Sequence, residues 1–136
     1  MEVQLAVIAD RVANEAGKLS AIGVTDHFSA PAFPAPAELT VVVRVLGGPN
    51  EAGAPVEARF EIILESEPVV LIGNQTVRDR LAGSPNRRLH HLDIIWHTGM
   101  IMFPSPGLYR IQVTINGQPM SVVPFEMDTM ESPHRV

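Results

Sequence analysis

Tyr109-Arg110-Ile111-Gln112-Val113-Thr114-Ile115-Asn116-Gly117 is the stretch whose reading decides the fold. Its four apolar side chains alternate with polar ones, the two-residue period of a strand with one face in a core and one in solvent. Asn116-Gly117 then stands before a second apolar run at residues 120–127. Both central residues of a type I′ turn need positive φ, which Asn and Gly reach at low cost, so the dipeptide closes a hairpin. Pro119 and Pro124 lack N–H donors and place the returning strand at a sheet edge.

The same rhythm recurs upstream. Residues 58–65 put Phe60, Ile62 and Leu64 on one side and Arg59, Glu61 and Glu65 on the other, with Ile63 as the exception. Residues 39–46 do likewise, blurred by Val42. Residues 89–97 set Leu92, Ile94 and Trp96 against His91, Asp93, Ile95 and His97, and residues 100–103 continue the strand after Gly99. Residues 3–9 and 19–25 read as a first antiparallel hairpin around Asn14-Glu15-Ala16-Gly17, with Gly17 supplying the turn. Residues 29–36, Ser-Ala-Pro-Ala-Phe-Pro-Ala-Pro, form neither helix nor central strand and read as an extended crossing to another sheet. Residues 69–72 are a short apolar run stopped by Gly73-Asn74, and residues 76–81 read as one helical turn or an irregular loop.

Twelve prolines and ten glycines in 136 residues leave few windows long enough for a helix interior. Sheets without helices must bury their apolar faces on each other. The expected fold is therefore all-β, an antiparallel β-sandwich of about eight strands over residues 1–127, with residues 128–136 a polar tail. A small closed barrel or a jelly roll is the alternative. At 46% hydrophobic and 18% charged residues the chain is too apolar to stay disordered.

Two resemblances follow from particular residues. Pro106-Gly107-Leu108-Tyr109, opening a strand, resembles the Gly-x-Tyr corner of immunoglobulin-like sandwiches, in which the tyrosine hydroxyl caps preceding backbone. The cysteines and core tryptophan of that fold have no counterparts at the matching positions. Ala9-Asp10, Gly17-Lys18-Leu19, Gly23-Val24-Thr25-Asp26 and Phe33-Pro34 resemble the opening of a family of small uncharacterised bacterial proteins that also carry a late Gly-x-Tyr strand. That resemblance implies a compact β domain and assigns no catalytic residue.

Chemistry is sparse. There is no cysteine, hence no disulfide and no thiolate metal site, and the composition fits a reducing compartment. The amino-terminal residues carry no basic stretch ahead of an apolar run, and no apolar stretch approaches the 18 residues of a membrane helix. A cytoplasmic chain with no membrane partner is expected. Serine-nucleophile and phosphate-loop patterns are absent, so no catalytic or cofactor-binding residue is assigned and no cofactor is expected.

Three features remain. His91, Asp93 and His97 share one strand face, and imidazole with carboxylate ligates zinc, iron or manganese, which makes a small metal-dependent enzyme or sensor the competing reading. Arg78, Arg80, Arg87 and Arg88 face only Asp79 within residues 74–91, leaving that segment at +3 and the rest of the chain at −8 out of a net −5. Guanidinium groups there suit a phosphate, an acidic partner or an RNA end, which makes anion or nucleic-acid binding through residues 78–91 a third reading. The overall acidity and the lack of stacking aromatics argue against nucleic acid. Phe33 among its prolines is a candidate contact anchor. Asp10 and Asp26, read on the first hairpin, lie on the order of 20 Å apart and do not form an acid–base pair. A non-enzymatic module that binds another protein, or a second copy through the edge strand bearing Met120, Val122 and Val123, accounts for the most residues.

Overall fold

A computed structural model describes residues 1–84 and 86–130. Ten strands follow one another: β1 (Glu2–Ile8), β2 (Arg11–Glu15), β3 (Lys18–Ile22), β4 (His27–Ala30), β5 (Ala35–Gly47), β6 (Pro55–Leu64), β7 (Val70–Arg80), β8 (His90–Phe103), β9 (Gly107–Ile115) and β10 (Gln118–Thr129). They form a three-stranded sheet in the order β1-β5-β8, a five-stranded sheet in the order β4-β10-β9-β6-β7, and a separate β2-β3 hairpin. The class is all-β, as alternation requires. No helix among the described residues is long and apolar enough to cross a membrane.

The inner faces of the two larger sheets meet in one core. Val41, Val43, Val45, Ile94 and Phe103 from one sheet pack with Phe60, Ile62, Ile111, Val113 and Phe125 from the other. Phe60 and Trp96 stand with ring centroids 5.4 Å apart across the layer. Each such buried side chain contributes roughly 1.5–3 kcal/mol. Asn116 (φ 50°) and Gly117 (φ 82°) turn the β9-β10 hairpin, as the dipeptide demands. Tyr109 donates its hydroxyl to the Ser105 carbonyl at 2.5 Å, closing the corner before β9.

Several expectations are corrected. β1 does not pair with residues 19–25. It pairs antiparallel with β5, Val3 opposite Val45 and Ile8 opposite Val41, while residues 11–15 and 18–22 close a smaller hairpin around Ala16 and Gly17. The turn at residue 17 is where the sequence places it, but its arms are five residues long, and β1 finds a longer and more apolar partner. Residues 76–81 are neither helical turn nor loop through Arg80: β7 runs through Gly73 and pairs with β6 from Val70 to Arg80. One ladder is parallel, β4 beside β10. β10 extends to Thr129, two residues into the expected tail, and residues 131–136 lie outside the described set.

The crossing segment does change sheets, leaving β4 in one and entering β5 in the other. Pro36 lies on β5 beyond the last residue paired with β1, so its missing donor leaves no ladder bond unmade on that side. β8 continues after Gly99 through a bulge: Thr98 and Gly99 together oppose Leu39, and the Leu39 N–H donates to Thr98 Oγ1 at 2.9 Å. The extra residue reverses the alternation. Ile94 and Trp96 face inward before it, Ile101 and Phe103 after it, so Met100 and Met102 are turned outward.

Candidate functional site

The β2-β3 hairpin lies on the outer face of the three-stranded sheet, and Asp93 holds it there. Arg44 and Asp93 are directly opposed on β5 and β8. Arg44 Nε donates to Asp93 Oδ1 at 2.6 Å and its Nη2 to Oδ2 at 2.8 Å, a bidentate pair. Asn14 Nδ2 donates to Asp93 Oδ2 at 2.6 Å, and Arg44 Nη2 reaches the Gly17 carbonyl at 3.0 Å. The Asp93 side chain is 7% exposed. Its hydrogen bonds hold the Arg44 guanidinium above its ordinary value. A covered outer face also explains Val42, the apolar residue on the wrong side of its strand, which is fully buried.

Of the His91, Asp93 and His97 group, the structure gives the carboxylate to Arg44 and Asn14. His91 Nε2 stands 3.9 Å from Asp93 Oδ2, and His97 Nδ1 is hydrogen-bonded to Thr40 Oγ1 at 3.2 Å. The three side chains are not drawn to one point. The arginines also divide. Arg78 pairs with Glu57 (Nε–Oε2 3.1 Å) and Arg80 donates to the Gly53 carbonyl (3.1 Å), beside a cleft of about 550 Å³ that Asp79 and Asn116 share. Arg87 borders a separate cleft of about 260 Å³ with Ser84, His90 and His91, and Arg88 is exposed nearby. Phe33 is half-buried and packs against the core.

Asp10 and Asp26 are nearer than the expected hairpin implies. The Thr25 N–H donates to the Ile8 carbonyl and the Asp10 N–H to the Ile22 carbonyl, so both aspartates flank the end of β1. A separation of about 20 Å follows only from pairing residues 3–9 with 19–25, and that pairing does not form.

The most conspicuous surface feature is the flank where β7 and β8, edge strands of different sheets, run side by side. Gly73 sits close enough that a Cβ there would meet Ile101 Cδ1 at 3.5 Å. No ladder joins the two strands. Val69, Val70 and Leu71 are exposed on one side of this flank and Met100 (67%) and Met102 on the other. The opposite flank, between β1 and β10, holds a groove of about 340 Å³ lined by Ala6, Val7, Ile8, Val24, Val123 and Pro124 together with Thr25 and Asp26.

One group of polar side chains has no counterpart among the sequence candidates. The parallel β4-β10 ladder sets His27 opposite Glu126 and Ser29 opposite Asp128. His27 Nε2 donates to Asp128 Oδ2 at 2.7 Å and Ser29 Oγ to Asp128 Oδ1 at 2.7 Å. The bond to Asp128, then its charge, holds the His27 imidazole above its ordinary 6.5, and the Ser29 and His27 bonds hold the Asp128 carboxyl below its own. Nothing in local sequence spacing joins residues 27 and 128; the signal lies only in the topology.

Comparison with known proteins gives three findings. A search of curated proteins returned no match. Among solved structures, an alkylpurine DNA glycosylase, AlkC, from Pseudomonas fluorescens bound to DNA containing an abasic site analogue is similar with a TM-score of 0.42 and 13% identity. The match covers 93% of this chain and 30% of that one, so this chain spans less than a third of its length. A family model matches residues 4–128, from within β1 to within β10, and the chain belongs to that family, described as a family of unknown function (DUF6941).

Proposed function

We propose that this chain is a non-enzymatic protein-binding module whose first partner is a second copy of itself, docked through the β7-β8 flank. The observation that carries this is how differently the free strand edges are protected. Unpaired edges template association, and natural sheets blunt them with brevity, proline or charge. β4 is four residues long, and the part of β10 beyond β4 contains Pro119 and Pro124. β7 has eleven residues and no proline, and its charges, Arg78, Asp79 and Arg80, crowd one end. The other end exposes Val70 and Leu71, with Val69 just before the strand, and the neighbouring β8 exposes Met100 and Met102 on its outer face. Methionine adapts to varied contacts, and exposed apolar side chains along an unprotected strand edge fit an interface.

Antiparallel pairing of β7 with its symmetry mate would extend the five-stranded sheet across a two-fold axis. Covering the exposed remainder of these side chains is worth roughly 1 kcal/mol each, comparable in sum to the roughly 4–15 kcal/mol that association costs. The dimer is therefore weak and concentration-dependent. The choice of β7 displaces the edge that the prolines of β10 point to in the sequence. The general plan reads as immunoglobulin-like on the strength of the Tyr109 corner, and the absence of cysteine, with nine arginines against one lysine, reads as a bacterial cytoplasmic chain.

Sedimentation velocity from micromolar to near-millimolar concentration tests the reading. The expected result is a monomer–dimer equilibrium that Leu71→Lys and Met100→Lys each shift to monomer, while Val122→Lys on β10 leaves it unchanged. A chain that stays monomeric throughout, or a dimer dissolved by Val122→Lys and not by the other two, contradicts it.

A further inference from the structure

We propose that His27, Glu126 and Asp128 form a binding site for a divalent cation of the zinc or manganese class. The three side chains leave adjacent rungs of one parallel ladder on the same face, and one ligating atom from each lies within 4.8 Å of the others. A four-coordinate ion with bonds of about 2.0–2.2 Å draws its ligand atoms to roughly 3.3–3.6 Å of one another. The contraction needed is a rotation of partly exposed side chains, with His27 50% and Asp128 43% exposed. The cation would take the place of the hydrogen that His27 Nε2 and Asp128 Oδ2 now share, opening that pair slightly.

The surroundings suit an ion better than they suit a simple strand latch. Ser29 Oγ holds the second Asp128 oxygen, the outer hydrogen bond that orients a ligating carboxylate. A cleft of about 240 Å³, lined by Asp26, His27, Leu108, Pro124, Phe125 and Glu126, adjoins the group and has room for the water that completes the coordination. Asp26, Glu126 and Asp128 gather around a single imidazole, and among the described residues no Lys or Arg pairs with any of the three. A latch needs only His27 and Asp128. Glu126 makes no side-chain hydrogen bond among the described residues, and a dication gives it a partner. Nitrogen with two carboxylates favours zinc or manganese over magnesium, which prefers oxygen alone and keeps its waters.

Titration calorimetry of chelator-stripped full-length protein with Zn²⁺, Mn²⁺ and Mg²⁺ tests this, with Mn²⁺ binding read independently by electron paramagnetic resonance. Zn²⁺ and Mn²⁺ are expected to bind at one per chain, and Mg²⁺ more weakly. Glu126→Gln and Asp128→Asn should each weaken Zn²⁺ by about tenfold or more, and His91→Ala should change nothing. Glu126→Gln leaves the His27-Asp128-Ser29 bonds intact, so its effect does not arise from a frayed β4; an unchanged melting curve confirms this. No binding of Zn²⁺ or Mn²⁺ up to millimolar concentration, or binding that survives both variants, overturns the site. Binding lost on His91→Ala overturns it as well and moves the ion to the other sheet.

Discussion

Arg44 and Asp93 show what a single pair does here. They face each other across two strands under a hairpin that donates to one and accepts from the other, so each charge is compensated in a setting largely closed to water. Such a pair adds little net stability over an apolar one, but breaking it leaves an uncompensated charge. Arg44→Met is expected to cost about 3–5 kcal/mol in urea unfolding and to loosen the tip around Gly17. A loss below about 1 kcal/mol would mean that Asp93 finds water and that the hairpin is held otherwise. At this scale the sequence is half legible. Alternation places His91, Asp93 and His97 on one face, where they are. The partners that occupy Asp93 come from 49 and 79 residues away, and no spacing rule reaches them. His27, Ser29 and Asp128 are hidden for the same reason.

At the scale of elements, local turn chemistry is read well and long-range pairing is not. Asn116-Gly117 gives its hairpin because the two strands it joins are neighbours. Gly17 also turns the chain, yet a turn signal does not say how far its arms extend, and β1 leaves for β5. Gly23 follows β3 and lies against Asp10 just past the end of β1; its φ of 73° excludes most side chains, and an added Cβ there would overlap the Asp10 carboxylate. Gly23→Ala is expected to destabilise by about 1–3 kcal/mol, read as a lowered urea midpoint at unchanged slope. Asp10→Ala in the same chain should recover only part of the steric cost, since the Asp10 Cβ itself stands in the way, and should leave the backbone part. A neutral Gly23→Ala would show that this junction is pliant. The bulge at Thr98 and Gly99 teaches a related lesson, since one extra residue takes Met100 and Met102 off the inward face that Ile94 and Trp96 occupy and puts them at the surface. Alternation is legible; a change of phase within a strand is not.

At the scale of the molecule, two sheets close on one core and leave two flanks where strands of the two sheets meet without pairing, β1 beside β10 and β7 beside β8. Periodicity and proline content carry the all-β class, and the buried Phe60, Ile62, Ile111 and Val113 are where the two-residue rhythm puts them. Strand order was out of reach, because sheet edges are defined by what fails to pair. The β7 edge, apolar at one end and free of proline, is the edge through which the proposed dimer would form. Hydrogen–deuterium exchange at low and high protein concentration tests that claim directly. The account predicts that β7 amides left unpaired by β6 exchange more slowly at high concentration, while those of residues 118–125 on β10 do not change. Equal exchange along β7 at every concentration would contradict it.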